Sequence, residues 1–375
     1  LLLWSCDKPE PEVQLTVKAQ YETVEAKAGQ MFVSVKSNSS WTATVADDAD
    51  GSPVEWARLN FLSGEGDRNL ILSYDGNPSE DQSRKLRVTV VAGSKTSDAV
   101  VEQAAAGARP VEPEDPEIPS GSDLAKTGWM ELPAMDNPEL GYYSHSFKMD
   151  GKTYRNYTFG WSQKDLVAHW MAYPLCSMYT KKNVSRSDAW AYDPLLGTDS
   201  SAPFGGYGGS YARGHQVPSA DRLCCYEANA QTFYGTNMTP QLNAHNEKIW
   251  ADLEGKVRNI ANSSDTTYVV TGVITEGSDT FTTDSDGKKM TVPVAYFKAL
   301  LRYSKSSTLG QWNAAAFYLE HRAYSESLGK QHSMSIDELE EMTGLDFFVN
   351  LPAKVGESQA ANIEAADPAQ SSIWW

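Results

Sequence analysis

Tyr211-Ala212-Arg213-Gly214-His215-Gln216-Val217-Pro218-Ser219-Ala220-Asp221-Arg222, read together with Asn246, Trp250 and Glu254 downstream, is the stretch around which the larger part of the chain is organised. It sets an imidazole beside a guanidinium. Imidazole is the side chain that exchanges protons near neutral pH. Arg213-Gly214-His215 alone carries little weight, since a lone histidine is more often structural than catalytic. The continuation adds to it. Thr236-Asn237-Met238-Thr239-Pro240-Gln241 follows, and residues 244–260 then have the periodicity of a helix. At about 100° per residue, Asn246, Trp250 and Glu254 drift only about 80° around such a helix, so all three share a face. On that face Trp250 packs the helix down, flanked by an amide and a carboxylate.

Outward from this stretch, residues 166–175 and 267–274 are apolar runs of strand length. Further helices are expected at residues 313–317 and at Ile336–Thr343. The second of these has Ser335 as N-cap, Glu338 as its capping-box partner and Gly344 as the stop. Residues 123–375 therefore read as an α+β domain. Residues 205–209 are glycine-rich, but no Lys-Ser/Thr pair follows, so they read as a turn and not a phosphate loop. Glu338, Glu340 and Glu341 read as a solvated helix face.

The chain has 375 residues, enough for two domains. With 41% hydrophobic and 11% aromatic residues, including 11 Trp and 18 Tyr, it has ample material for a core, which excludes disorder as the dominant state. The net charge of −17 divides into −10 for residues 1–124 and −7 for residues 125–375. Neither half is a basic glove for nucleic acid. Positive charge serving a phosphate substrate must be local and partly supplied by a bound cation.

Residues 106–122, with repeated Pro, Asp and Glu, read as a stiff linker. Ahead of it, residues 14–105 show short period-two runs such as Phe32-Val33-Ser34-Val35, Trp41-Thr42-Ala43-Thr44-Val45 and Leu86-Arg87-Val88-Thr89-Val90-Val91, broken by turns such as Asp75-Gly76-Asn77-Pro78. This is the pattern of an all-β antiparallel sandwich. Ser37-Asn38-Ser39-Ser40-Trp41, Trp56, Gly64-Glu65-Gly66, Asn77, Arg84 and the closing Val100-Val101-Glu102-Gln103 resemble a BACON domain. That resemblance implies an immunoglobulin-like module ahead of an exported bacterial enzyme, with a possible glycan contact. Trp41 and Trp56 are expected in the core in preference to stacking on sugars.

Residues 1–13 read as a tether. Leu3-Trp4-Ser5-Cys6 resembles a bacterial lipobox, which implies an exported protein whose only membrane contact is lipid on Cys6, at the outer membrane. Cys176, Cys224 and Cys225 leave two readings open, one disulfide with a spare thiol or three buried thiols. Their spacing does not suggest zinc.

The second domain closely resembles the DNA/RNA non-specific endonuclease family over nearly all of residues 125–351. The resemblance rests on Arg213-Gly214-His215 with Asn246 and Glu254, on His169-Trp170-Met171-Ala172-Tyr173 and Tyr268-Val269-Val270-Thr271-Gly272-Val273, and on Thr343-Gly344-Leu345-Asp346-Phe347-Phe348. It implies a ββα-metal finger beside a central antiparallel sheet, and Mg2+-dependent hydrolysis of DNA and RNA to 5′-phosphates, with Mn2+ as a substitute. Carried over residue by residue, His215 becomes the general base and Asn246 the one direct protein ligand of the metal. Glu254 holds water of the metal, Arg213 and Arg186 face the phosphate, and Asn237 braces the site. The family motif begins with Asp where this chain has Ala212, which puts metal affinity and rate in question. The rival reading is a glycan-binding surface lipoprotein with a disused nuclease scaffold. A glycosidase is disfavoured, because no paired carboxylates stand out.

Overall fold

The computed structural model describes residues 12–106, 121–196, 205–285 and 287–375. Cys6, nearly all of the tether and most of the proline-rich linker fall outside them. The chain packs as two units, Leu1–Pro113 and Glu114–Trp375.

The first unit is β-rich. One sheet orders Leu15–Ala19, Gly29–Ser37, Arg68–Tyr74 and Ala57–Leu59; the other orders Thr23–Val24, Lys95–Gln103, Arg84–Ala92, Ser40–Asp47 and Ser63–Glu65. Alternate residues of both sheets, among them Val33, Val35, Leu70, Leu72, Leu86, Val88 and Val90, meet in one core. Trp41 is 2% exposed, and its indole N–H donates to the Gly66 carbonyl at 2.9 Å. It lies across the facing Gly64, where any Cβ would collide with the ring. Trp56 is half-buried under the Arg84 guanidinium, 3.9 Å from the ring centroid. Both tryptophans thus pack against the protein's own groups.

The second unit is built on a seven-stranded antiparallel sheet, ordered Leu140–Met149, Lys152–Ser162, Val167–Leu175, Thr266–Ile274, Ala295–Tyr303, Trp312–Glu320 and Ser333–Met334. Helical segments cover both faces. One face packs on Trp250, Leu253 and Val257, the other on Ile336, Leu339, Leu351 and Ile363. Burial on both faces is why its central strands read as unbroken apolar runs.

The same burial overturns the expected helix at residues 313–317, which lie in the Trp312–Glu320 strand. Asn313-Ala314-Ala315-Ala316-Phe317 has high helix propensity, but each residue pairs with the Ala295–Tyr303 strand, Ala315 opposite Leu300. Ala314 and Ala316 face one core and Ala315 and Phe317 the other, so tertiary packing overrides local preference.

Ile336–Thr343 is helical, with a reciprocal capping box between Ser335 and Glu338, and Gly344 ends it at φ 67°. The acidic face beside it is only partly solvated. Glu340 is half-buried and accepts from the Phe347 N–H at 2.8 Å, and burial pushes its carboxyl up to about 7. Cys176, Cys224 and Cys225 are free thiols. Among the described residues no helix is long and apolar enough to cross a membrane. Ser335→Ala removes an N-cap acceptor and is expected to cost about 1 kcal/mol, read as a lower urea midpoint for the second unit's transition at unchanged m.

Candidate active site

The site begins with a two-stranded ribbon, Tyr211–His215 paired antiparallel with Met238–Leu242 so that His215 lies opposite Met238. Three hydrogen bonds anchor this ribbon. The Gln216 carboxamide donates to the Ala168 carbonyl at 2.6 Å, the Tyr296 hydroxyl to the Pro240 carbonyl at 3.0 Å, and the Leu242 N–H to His321 Nε2 at 2.7 Å. Gly214 is required by close approach, since a Cβ there would run into the buried Gln241 side chain from the paired strand.

Asn237 is fully buried behind His215. Its Oδ1 accepts from the Val217 N–H at 2.8 Å, while its Nδ2 donates to the Val217 and Thr232 carbonyls at 2.9 and 2.7 Å. That is a brace on the backbone just after the histidine. The chain then turns through Asp221-Arg222. Arg222 is fully buried and donates to Asn156 Oδ1 and to the carbonyls of Asn156, Pro174 and Asp221, at 2.6 to 3.1 Å.

The helix that follows departs from the expected uninterrupted one over residues 244–260. One turn at Asn243–His245 leads into a π-helical turn, Asn246–Trp250, before the regular helix Ala251–Asn262. A π turn advances less around the axis per residue than an α turn. It therefore draws Asn246 back toward the line of Glu254, two turns further on.

A cleft of about 400 Å³ is lined by Arg186, His215, Asn246 and Glu254, with Pro218, Ser219, Ala220 and Leu223 along one wall. Four of the residues singled out from sequence thus share one space. Arg213 stands one step back, its guanidinium 3.6 Å from the Trp190 ring centroid, and Asn237 lies behind. Arg186 sits over the Phe233 ring at 4.6 Å and donates to Asp188 Oδ1 at 2.8 Å. By strand alternation Ala212 shares the Gly214 face of its strand, opposite Arg213 and His215, and it does not line the cleft.

His215 is held edge-on by Trp190 and Phe233, at centroid distances of 5.6 and 5.0 Å. One ring nitrogen hydrogen-bonds the Arg213 backbone, while Nε2 has no partner among the described residues. The ring proton therefore sits on Nδ1 and donates to the Arg213 carbonyl, leaving the Nε2 lone pair free. Burial first, then the Arg186 charge, pushes the imidazole down to about 3, so it is neutral across the physiological range.

Glu254 borders the cleft from the helix. Its carboxyl is pushed up to about 7 by burial; Lys298 and Arg258 oppose the rise and Asp221 adds to it. Asp221 is itself buried and paired with the Arg258 guanidinium at 2.6 Å.

Sequence reasoning passed over the Trp190–Phe233 clamp and the Asp221, Arg258 and Lys298 charges. Two signals pointed to the charges: Arg258 lies one helical turn past Glu254, and Lys298 interrupts the apolar run Ala295-Tyr296-Phe297-Lys298-Ala299-Leu300-Leu301.

The model of the DNA/RNA non-specific endonuclease family matches residues 138–354, more than half of the chain. The chain belongs to the DNA/RNA non-specific endonuclease family. Membership makes it a metal-dependent nucleic-acid hydrolase. Among its relatives in the family, a nuclease of a Nostoc species is 28% identical over 219 residues, covering 56% of this chain and 76% of the relative. Nuclease C1 of Cunninghamella echinulata is 29% identical, covering 52% and 81%, and a Serratia marcescens nuclease is 29% identical, covering 54% and 76%.

The donor set of the endonuclease cleft suits a hydrated hard cation. It offers one neutral amide, Asn246, and one carboxylate, Glu254, and among the described residues no group of three or more His, Cys, Asp or Glu could cage a metal. Magnesium keeps most of its waters and needs few protein donors.

Two outcomes are expected from this geometry. Gly214→Ala forces Gln241 aside and destabilises the unit by about 1–3 kcal/mol, measured by denaturant unfolding. In the metal-free protein, NMR of the His215 ring is expected to show a neutral imidazole from pH 5 to 8, and Arg186→Met to move its midpoint up from about 3 toward the ordinary value of about 6.5.

Proposed function

We propose that the second unit cuts phosphodiester bonds of DNA and RNA endonucleolytically, with Mg2+ or Mn2+, leaving 5′-phosphates, and that His215 is the general base. The observation that carries this reading is the neutral imidazole with an unpartnered Nε2, on a cleft it shares with Asn246, Glu254 and Arg186. Nε2 takes a proton from water, whose oxygen attacks phosphorus as the bond to the 3′ oxygen breaks. Flanked by Trp190 and Phe233, the imidazole has less rotational freedom to lose before that step. Asn246 is the residue to hold the cation, and the chemistry Mg2+ supplies when bound is positive charge against the phosphate and the departing oxygen. The Glu254 carboxylate accepts hydrogen bonds from water in the cleft. Arg186 offers paired donors to the phosphate, with Arg213 adding positive charge from behind. Backbone contacts of this kind carry no sequence information, which fits a nuclease indifferent to base and sugar. Because Ala212 lies on the far face of its strand, its missing carboxylate leaves these groups in place.

For the first unit we propose a BACON-like, immunoglobulin-like module that acts as a spacer or adhesion domain, with glycan as its candidate partner. The interlocked Asn77, Arg84, Gln103 and Trp56 support that reading. The Asn77 amide donates to the Gln82 and Ala104 carbonyls, Arg84 Nε donates to the Gln103 carboxamide, and Gln103 Nε2 donates to the Asp75 carbonyl. Lipid on Cys6 would anchor the exported enzyme to the bacterial outer membrane.

The test is a plasmid and RNA digest by the full chain. Cleavage is expected with Mg2+ and not with EDTA, and His215→Ala is expected to lower the rate by about 10³-fold with unchanged unfolding. Wild-type cleavage by His215→Ala would remove the assigned base.

A further inference from the structure

Ser219 joins the wall of the cleft shortly after His215, as the first residue of the turn Ser219–Asp221. Two buried amides fix the chain over this stretch. Asn237 holds both backbone groups of Val217, and Asn229, itself fully buried, holds Ser219. Asn229 reaches out from the helix Tyr226–Gln231. Its Oδ1 accepts from the Ser187 N–H at 2.8 Å, and its Nδ2 donates to the Ser219 carbonyl at 2.9 Å and to Ser219 Oγ at 3.0 Å.

The direction of each bond follows from what the groups can do. A backbone N–H only donates, so the Asn229 atom that meets Ser187 is its carbonyl oxygen. A backbone carbonyl only accepts, so the atom that meets the Ser219 carbonyl is the amide nitrogen. The two ends of the amide require the same orientation. Its nitrogen has two protons, one for the Ser219 carbonyl and one for the hydroxyl. Ser219 Oγ is therefore the acceptor in this contact, and its own proton is left for another partner. Among the described residues no group accepts that proton. Ser219 is 6% exposed, and the open space it borders is the cleft it shares with Arg186, His215, Asn246 and Glu254.

We infer that Ser219 binds the substrate phosphate: held as an acceptor by Asn229, its hydroxyl donates to a non-bridging oxygen of the phosphate in the cleft. This rests on the nuclease reading proposed above. Non-bridging oxygens are charged acceptors with no proton of their own, so a neutral hydroxyl adds a bond there without adding charge. Asn229 also sets where that bond lies. Because the same amide takes the Ser187 N–H, it ties the residue next to Arg186 to the wall that carries the hydroxyl. The guanidinium and the hydroxyl thus approach one phosphate from segments joined behind the cleft.

The experiment follows cleavage by the full chain with Mg2+ at one linkage of an oligodeoxynucleotide. That linkage has either the normal phosphate or one of the two phosphorothioate diastereomers, whose sulfur accepts a hydrogen bond poorly. Ser219→Ala keeps the Asn229 bond to the backbone carbonyl. It is expected to slow cleavage of the normal linkage about tenfold, the worth of one hydrogen bond to a charged oxygen. Against the diastereomer whose sulfur has already replaced the acceptor, the same substitution is expected to cost less than about twofold. Equal losses on all three linkages, the mark of a merely structural serine, overturn the inference, as does no loss on the normal one. If Ser219→Ala does not fold, Ser219→Cys, whose thiol is a weak donor, takes its place. A second arm titrates the metal-free full chain with inorganic phosphate by 31P NMR, where Ser219→Ala is expected to weaken binding about tenfold. That loss in a chain that cuts no DNA would count against the nuclease reading and leave the hydroxyl donor standing. Phosphate held equally by the two proteins, or a chain that neither binds phosphate nor cuts, overturns it.

Discussion

The clamp of Trp190 and Phe233 on His215, with the Arg186 guanidinium nearby, makes protonation of the imidazole unfavourable. The rest of the cleft depends on that constraint. The Arg213 carbonyl can then claim the Nδ1 proton and leave Nε2 as the acceptor. The Arg186 guanidinium, which adds to burial in keeping the ring neutral, also lines the cleft a phosphate would enter, so positive charge stands where the acidic chain needs it.

The cleft is supported from two directions. The ribbon is tied to the large sheet through Gln216, Tyr296 and His321, and the helix is packed down through Trp250, Leu253 and Val257. Beneath them lie two buried charged residues, Asp221 paired with Arg258 and Lys298 held against the Trp250 ring. Their arrangement places charge compensation inside the protein, where salt screens it far less than at the surface.

The parts of this architecture that were legible in the sequence are those with a local signature. Residues 166–175 and 267–274 announced strands by length and apolarity, Ser335, Glu338 and Gly344 announced a capped helix, and Asn246, Trp250 and Glu254 announced a shared face. What escaped depends on partners distant in sequence. The alanine-rich segment at residues 313–317 becomes a strand because Leu300 and Leu301 lie alongside it. Lys298 reads as an interruption of an apolar strand until the Trp250 ring is seen to lie against its ammonium. Trp190 and Phe233 meet His215 from segments 25 and 18 residues away, with no periodicity to connect them.

The π turn at Asn246–Trp250 makes the helix irregular at the place where the candidate metal-holding amide projects. Such a turn is equivalent to one residue inserted into an otherwise α-helical path. At this chain's eight-residue spacing a regular α-helix would leave Asn246 about 80° around the axis from Glu254, and the wider turn closes that gap. In this segment, conformational regularity and correct aim are competing demands, and the fold has kept the aim.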